Sequence, residues 1–261
     1  MSVVQAVILG IIQGLTEFLP VSSSGHLVLL QKIFGITEST LVFDTCLHLG
    51  TLLAVIAVFR KDIVSILRKP FQKLTWLLLA GTIPTALIGV LFKDYFEELF
   101  KSGRTLGLEF ILTGAVLLYA ERLGRGRKAL KETTYLDAAF IGVMQGAAIL
   151  PAVSRSGLTI AGSLFRNLDR EFAARFSFLL SIPAILGAAV FQFKDVMEAG
   201  GGGDSRTVII AGTIAAAIAG YASVKFMIEL IKKRSMKYFA YYVFLIGALV
   251  LADQYFTHIF F

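Results

Sequence analysis

Apolar residues in this chain come in long, nearly unbroken runs instead of alternating with polar ones. Six stretches read as membrane crossings: Leu41–Phe59, Leu74–Phe92, Leu106–Ala120, Phe172–Phe193, Val208–Ile231 and Tyr238–Phe256. Each approaches the ~20 apolar residues that carry a helix through the hydrocarbon core of a bilayer. Leu106–Ala120 is the short one and needs its flanks to reach across. Two further apolar stretches, Val3–Phe34 and Leu136–Arg166, are each broken in the middle, by PVSSSG and PAVSRSG. The pieces beside each break are too short to span. They predict re-entrant helix–turn–helix hairpins, whose irregular backbone must be covered by protein or line a cavity.

Composition agrees. Of 261 residues, 56% are hydrophobic and 16% charged, where a soluble domain carries about 25% charged. No polar stretch is long enough to hold a core of its own, so a single membrane domain over residues 1–261 is expected. The lone Cys46 excludes a disulfide framework and reads as a small buried apolar residue. The N-terminus lacks the basic segment of a signal peptide. The net charge of +7 lies in short loops, which suits topology signals and headgroups and not nucleic acid. Loops 60–73, 122–131, 166–175 and 232–237 hold 17 Lys and Arg, and the alternate loops 31–40, 93–105 and 194–206 hold 6. The positive-inside rule makes the first set cytoplasmic. Both termini then lie outside the plasma membrane, the first hairpin enters from outside and the second from the cytoplasm. Gly200–Gly203 reads as an external linker.

An offset of 132 residues aligns the hairpins without a gap. Gly10–Gly25 matches Gly142–Gly157 at seven of sixteen positions: Gly10, Gln13, Gly14, Val21, Ser22, Ser24 and Gly25 recur as Gly142, Gln145, Gly146, Val153, Ser154, Ser156 and Gly157. Repeats of about 1–125 and about 133–261 follow. Three crossings separate the hairpins, and an odd number inverts the second copy. The expected fold is therefore all-α and polytopic, an inverted-topology repeat of six transmembrane helices plus two re-entrant hairpins. In such folds broken helices from both halves meet near the midplane. Their N-termini favour anions.

The ionisable residues in these segments are the candidates for chemistry, because a charge inside a bilayer is costly and marks function. Glu17 lies in the first hairpin with Gln13 one helical turn before it. Ser22, Ser23, Ser24 and Gly25 form the turn after Pro20, and His26 opens the returning helix. Arg155, at the repeat position of Ser23, lies at the tip of the second hairpin between Ser154 and Ser156, with Gly157 next. A guanidinium fork suits a pair of phosphate oxygens; with no anion bound, Glu17 is its natural partner. Ser154 and Ser156 also suit plain helix capping. Asp44 and His48 carry weaker signals.

The stretch QGLTEFLPVSSSGH resembles the (E/Q)xxxE plus PVSSxGH signature of the undecaprenyl-diphosphate phosphatases of the bacitracin-resistance family, and PAVSRSG resembles their PGxSRSG motif. RFSFLLSIP at Arg175–Pro183 fits as well, and the similarity spans the chain. The resemblance implies an enzyme that hydrolyses undecaprenyl diphosphate to the monophosphate. Such an enzyme recycles the cell-wall carrier lipid, confers bacitracin resistance, has an outward-facing site and uses a divalent cation, Mg²⁺ or Ca²⁺. It implies catalytic roles for Glu17, Ser23, His26 and Arg155. Substrate contacts would come from Gln13, Ser22, Ser24, Gly25, Ser154, Ser156 and Gly157, and Glu17 would be the metal ligand. The implied partners are a polyprenyl diphosphate and the bilayer; a homodimer stays open. One departure stands out: Ala152 replaces the usual glycine, where a side chain resists positive φ. Gln13 is the less acidic of the two options the motif allows. The type-two phosphatidic acid phosphatases need a histidine soon after their Ser-Arg, and none occurs between Arg155 and His258.

Ser23 is the candidate nucleophile, with His26 or Glu17 accepting its proton; direct attack by activated water stays open. The rival reading is a prenyl-phosphate flippase or anion transporter, which inverted repeats fit equally well. The Glu/Ser/His cluster favours the enzyme, because a carrier needs no proton acceptor.

Overall fold

The computed structural model describes residues 1–36, 40–123, 126–198 and 205–260, without the side chains of 193–198. The expected Gly200–Gly203 linker lies outside the described residues. Twelve α-helices make up the described chain: α1 Val3–Phe18, α2 Ser23–Ile33, α3 Leu41–Val58, α4 Arg60–Arg68, α5 Lys73–Leu91, α6 Lys93–Ser102, α7 Leu106–Arg122, α8 Tyr135–Ala147, α9 Arg155–Phe165, α10 Arg170–Glu198, α11 Arg206–Lys233 and α12 Lys237–Ala252. A short π-helical turn, Asp253–Thr257, ends it. Five helices (α3, α5, α10, α11 and α12) are long and apolar enough to cross a membrane. Their outer faces, at Leu53, Ile83, Leu87, Val190, Ile214, Ile218 and Leu249, stay exposed. This is a multi-pass membrane protein.

The short crossing expected at Leu106–Ala120 is lengthened on one side only. Helix α7 has 17 residues, and the flank expected to lengthen it, α6, turns away by 111°. Gly103, at φ 63, makes that corner in the left-handed region that glycine adopts without steric cost. Helices α4 and α6 lie where loops were expected; both are charged and amphipathic, which suits an interfacial position.

The broken apolar stretches fold as the short pairs α1–α2 and α8–α9. Helices α2 and α9 keep the 132-residue offset at both ends. The caps keep it too. Ser2 and Gln5 form a capping box on α1, and Thr134 and Asp137 form one on α8, each satisfying N–H groups that the first helical turn leaves free. Helix α1 packs chiefly on α11, and α8 on α5, its counterpart under the same offset. Both crossings run through glycine. A Cβ on Gly10 would lie 2.2 Å from the Gly212 carbonyl oxygen, and one on Gly142 would lie 2.0 Å from that of Gly81. Between the pairs a buried cluster forms around Phe18, Phe59, Phe176 and Phe178; the Phe18 and Phe178 rings meet edge to face at 5.6 Å.

The ends of the helices away from the broken turns carry further ion pairs. Arg170 holds Glu121 at 2.5 Å, and Ser235 and the Met236 N–H donate to the same carboxylate. Asp137, in the first turn of α8 and outside the candidate spans, accepts from Lys128 at 3.0 Å and Arg166 at 2.7 Å. Burial raises its pKa, but the Thr134 N–H and the two cations outweigh burial and hold it at about 2. A carboxylate so depressed stabilises the fold above its unfolded pKa, and that share is lost as pH falls toward 2.

Two outcomes are expected. Gly10→Ala should lower the melting temperature in detergent by several degrees through overpacking. Gly187→Ala, whose Cβ would meet nothing within 4 Å, should leave it unchanged. Asp137→Asn should melt earlier than the unmodified protein at neutral pH, and the gap should close as both are titrated from about pH 4 downward.

Candidate active site

The turns that break the two pairs meet tip to tip. Ser22 Oγ donates to the Pro151 carbonyl at 3.3 Å, and Ser156 Oγ donates to the Leu19 carbonyl at 2.8 Å. Each turn ends in a serine N-cap: Ser22 Oγ accepts from the Gly25 N–H and Ser154 Oγ from the Gly157 N–H. The two helix N-termini, with their unsatisfied first-turn N–H groups and positive dipole ends, therefore converge on one place. Ala152 is absent from the non-glycine residues at positive φ, so alanine fits there without strain. Its N–H donates to Glu109 Oε2 at 2.6 Å, and the Ser154 N–H donates to Thr113 Oγ1 at 3.1 Å. Helix α7 thus supports the second tip from below.

Glu17 is the centre of the site. It is 6% exposed. Its Oε1 accepts from Arg155 Nη2 across the two tips. Its Oε2 accepts from Ser23 Oγ at 2.5 Å and from Gln13 Nε2 at 2.9 Å. One carboxylate therefore holds the serine hydroxyl, the guanidinium and the amide. The 132-residue likeness between the two turns ends at these residues. The counterparts of Glu17, Ser23 and His26 are Ile149, Arg155 and Leu158, so one tip carries the acid and the other the cation. Gln145, the counterpart of Gln13, turns instead to Thr85 Oγ1 at 3.2 Å.

His26 does not join this network. Its Nδ1 lies 2.6 Å from the Ser22 carbonyl and its Nε2 lies 2.8 Å from Tyr242 Oη, so neither nitrogen takes up the Ser23 hydroxyl. Of the two expected proton acceptors for Ser23, the geometry presents Glu17. Ser24 lies in the first turn of α2 and is partly buried.

Four residues that the sequence left in the background stand at or beside the site. His48 on α3 donates from Nδ1 to the Asp44 carbonyl at 2.8 Å and turns Nε2 toward Glu17 Oε2, 3.9 Å away. Asp44 itself ties α3 to the first pair, accepting from Gln31 Nε2 at 2.8 Å and from Thr40 Oγ1 at 2.8 Å. Glu109, buried in α7, carried a readable signal, an acid inside an apolar run, like that of Glu17. Tyr242 carried none.

A resident cation would need donors that these contacts leave free. Gln13 Oε1 is buried without a hydrogen-bond partner. Both Glu17 oxygens are engaged, and no group of three or more His, Cys, Asp or Glu suited to a metal occurs among the described residues. Such a donor set fits a cation that arrives with phosphate oxygens, the usual way Mg²⁺ is held, and not one caged by protein alone.

The family model described as bacitracin resistance protein BacA matches residues 6–249. The chain is 58% identical to an undecaprenyl-diphosphatase of Carboxydothermus hydrogenoformans over 252 residues, covering 96% of this chain and 97% of the relative. It is 51% identical to undecaprenyl-diphosphatase 4 of Bacillus thuringiensis over 260 residues, the full length of both. An undecaprenyl-diphosphatase of Halothermothrix orenii is 44% identical over 253 residues, 96% of this chain and 98% of the relative. With a family model matched along nearly its whole length and relatives this similar end to end, the chain belongs to the bacitracin resistance protein BacA family.

Proposed function

We propose that this protein is an undecaprenyl-diphosphate phosphatase, which releases phosphate from the lipid diphosphate and returns the monophosphate carrier to cell-wall synthesis. Bacitracin resistance follows from removal of the diphosphate. The observation that carries this reading is the Ser23–Glu17 hydrogen bond of 2.5 Å beside Arg155. A nucleophile, its base and a phosphate clamp stand within one buried cluster, the triad logic of an activated serine.

In the proposed reaction the terminal phosphoryl group enters between the tips and takes Arg155 from Glu17. The freed carboxylate accepts the Ser23 proton as Ser23 Oγ attacks phosphorus. The anhydride P–O bond breaks and prenyl monophosphate leaves, taking that proton from Glu17. Water then attacks the phosphoserine, Glu17 takes one water proton and returns it to the Ser23 oxygen as the P–O bond breaks, and phosphate departs. Arg155 and the first-turn N–H groups of α2 and α9 stabilise the charge that develops on the phosphoryl oxygens. A divalent cation, held by diphosphate oxygens with Gln13 and Glu17 as its protein donors, would neutralise the diphosphate. Ser22, Ser24, Gly25, Ser154, Ser156 and Gly157 shape the cradle.

The architecture is best explained as an inverted repeat with two re-entrant hairpins. Matched caps, matched glycine crossings and exchanged helix partners support it. The lysine- and arginine-rich ends then face the cytoplasm of the plasma membrane, and the site opens outward with both termini outside. The prenyl tail would lie along the exposed apolar helix faces.

The rival flippase is separated by an assay in detergent, where transport has no meaning. Purified protein should release phosphate from a polyprenyl diphosphate, and absence of release would reject the enzyme. Arg155→Ala should lower kcat/KM by about 10²–10³, the usual cost of losing one charge-stabilising group; near-normal turnover would remove the clamp. Ser23→Ala should be inactive, and acid quenching of the unmodified enzyme should trap phosphoserine; an active Ser23→Ala would transfer the attack to water.

A further inference from the structure

His26 has both nitrogens in use, although it belongs to the serine-rich turn. A carbonyl oxygen only accepts, so the proton shared with the Ser22 carbonyl at 2.6 Å sits on Nδ1. The ring is 7% exposed and no carboxylate of the described residues pairs with it. Neutral imidazole with a bare Nε2 is therefore favoured, and Tyr242 Oη, 2.8 Å away, donates to it. The ring is also gripped on two sides. Tyr242 stacks on it with ring centres 5.6 Å apart and an interplanar angle of 10°, and Phe110 meets it edge-on at 5.6 Å. Phe110 and Tyr242 are the same position in the two repeats.

What His26 grips is strained. Ser22 has φ 68 and ψ 101, outside the region that an L residue adopts without cost. Such backbone persists only where its surroundings over-determine it. Here the Pro151 carbonyl and the Gly25 N–H engage the Ser22 side chain, and the His26 ring and backbone N–H engage its carbonyl. The next residue is Ser23. We propose that Tyr242 is a positioning residue: its hydroxyl fixes the Nδ1–H tautomer of His26, so that His26 holds the Ser22 carbonyl and aims the Ser23 hydroxyl at Glu17. His26 acts by geometry and moves no proton.

Tyr242→Phe keeps the ring stack and removes only the hydroxyl. It should lower kcat for phosphate release from a polyprenyl diphosphate about tenfold with KM within about twofold, the pattern of an interaction felt only in the transition state. The melting temperature should be unchanged. In ¹⁵N spectra of histidine-labelled protein the His26 Nε2 signal, assigned by its loss in His26→Asn, should move toward that of an unbonded imine nitrogen. His26→Asn, whose amide can still donate to the Ser22 carbonyl, should retain at least tenfold more activity than His26→Ala. Adding Tyr242→Phe to His26→Ala should cost nothing further. Unchanged kcat and Nε2 signal in Tyr242→Phe would overturn the proposal. So would His26→Asn as inactive as His26→Ala, the result expected of a proton carrier. The kcat argument rests on Ser23 as nucleophile, but the nitrogen signal does not, so failure to trap phosphoserine would count against Ser23 alone.

Discussion

The site depends on one ion pair. Glu17 and Arg155 come from separate helix pairs and meet inside a membrane protein, where either charge alone would be costly. Their attraction pins the two tips together, and the serine bonds to Pro151 and Leu19 fix the register. The same pair holds the reactive groups in readiness. Arg155 neutralises Glu17, and the carboxylate accepts the Ser23 hydroxyl in a short hydrogen bond.

The two short helix pairs are alike under the 132-residue offset except at a few positions. Caps, glycine crossings and serine N-caps recur in both halves because both must build the same short helix pair. Glu17 against Ile149, Ser23 against Arg155 and His26 against Leu158 are where the halves differ. Complementary charge replaces symmetry there, as it must: two acids or two cations at facing tips would repel.

Much of this was readable beforehand. Apolar runs fix the long helices to within a few residues, because a bilayer admits little else. The Pro/Ser/Gly breaks locate the turns, and a charge inside an apolar run identifies Glu17 and Arg155. The unreadable parts have physical reasons. Helices α4 and α6 are short and polar on one side, so their composition resembles that of loops. His48 looks like any histidine within a span until α3 is placed against α1. Nothing in the spacing of His26 says that its nitrogens face Ser22 and Tyr242, since Tyr242 lies 216 residues away. Glu109 could have been found by the test that found Glu17. Its bond to the Ala152 N–H explains why an acid stands in α7.

The separation of the ion-pair partners has a bearing on biogenesis. Glu17 and Arg155 are 138 residues apart, and ribosomes add about 5–20 residues per second. Glu17 therefore waits roughly 7–28 seconds before its counter-ion is made. Through that interval Gln13, Ser23 and His48 are the partners already made that can shelter the acid. A nascent chain truncated before Arg155 would carry that orphaned charge permanently, a defect visible to the quality-control proteases that survey newly inserted membrane proteins.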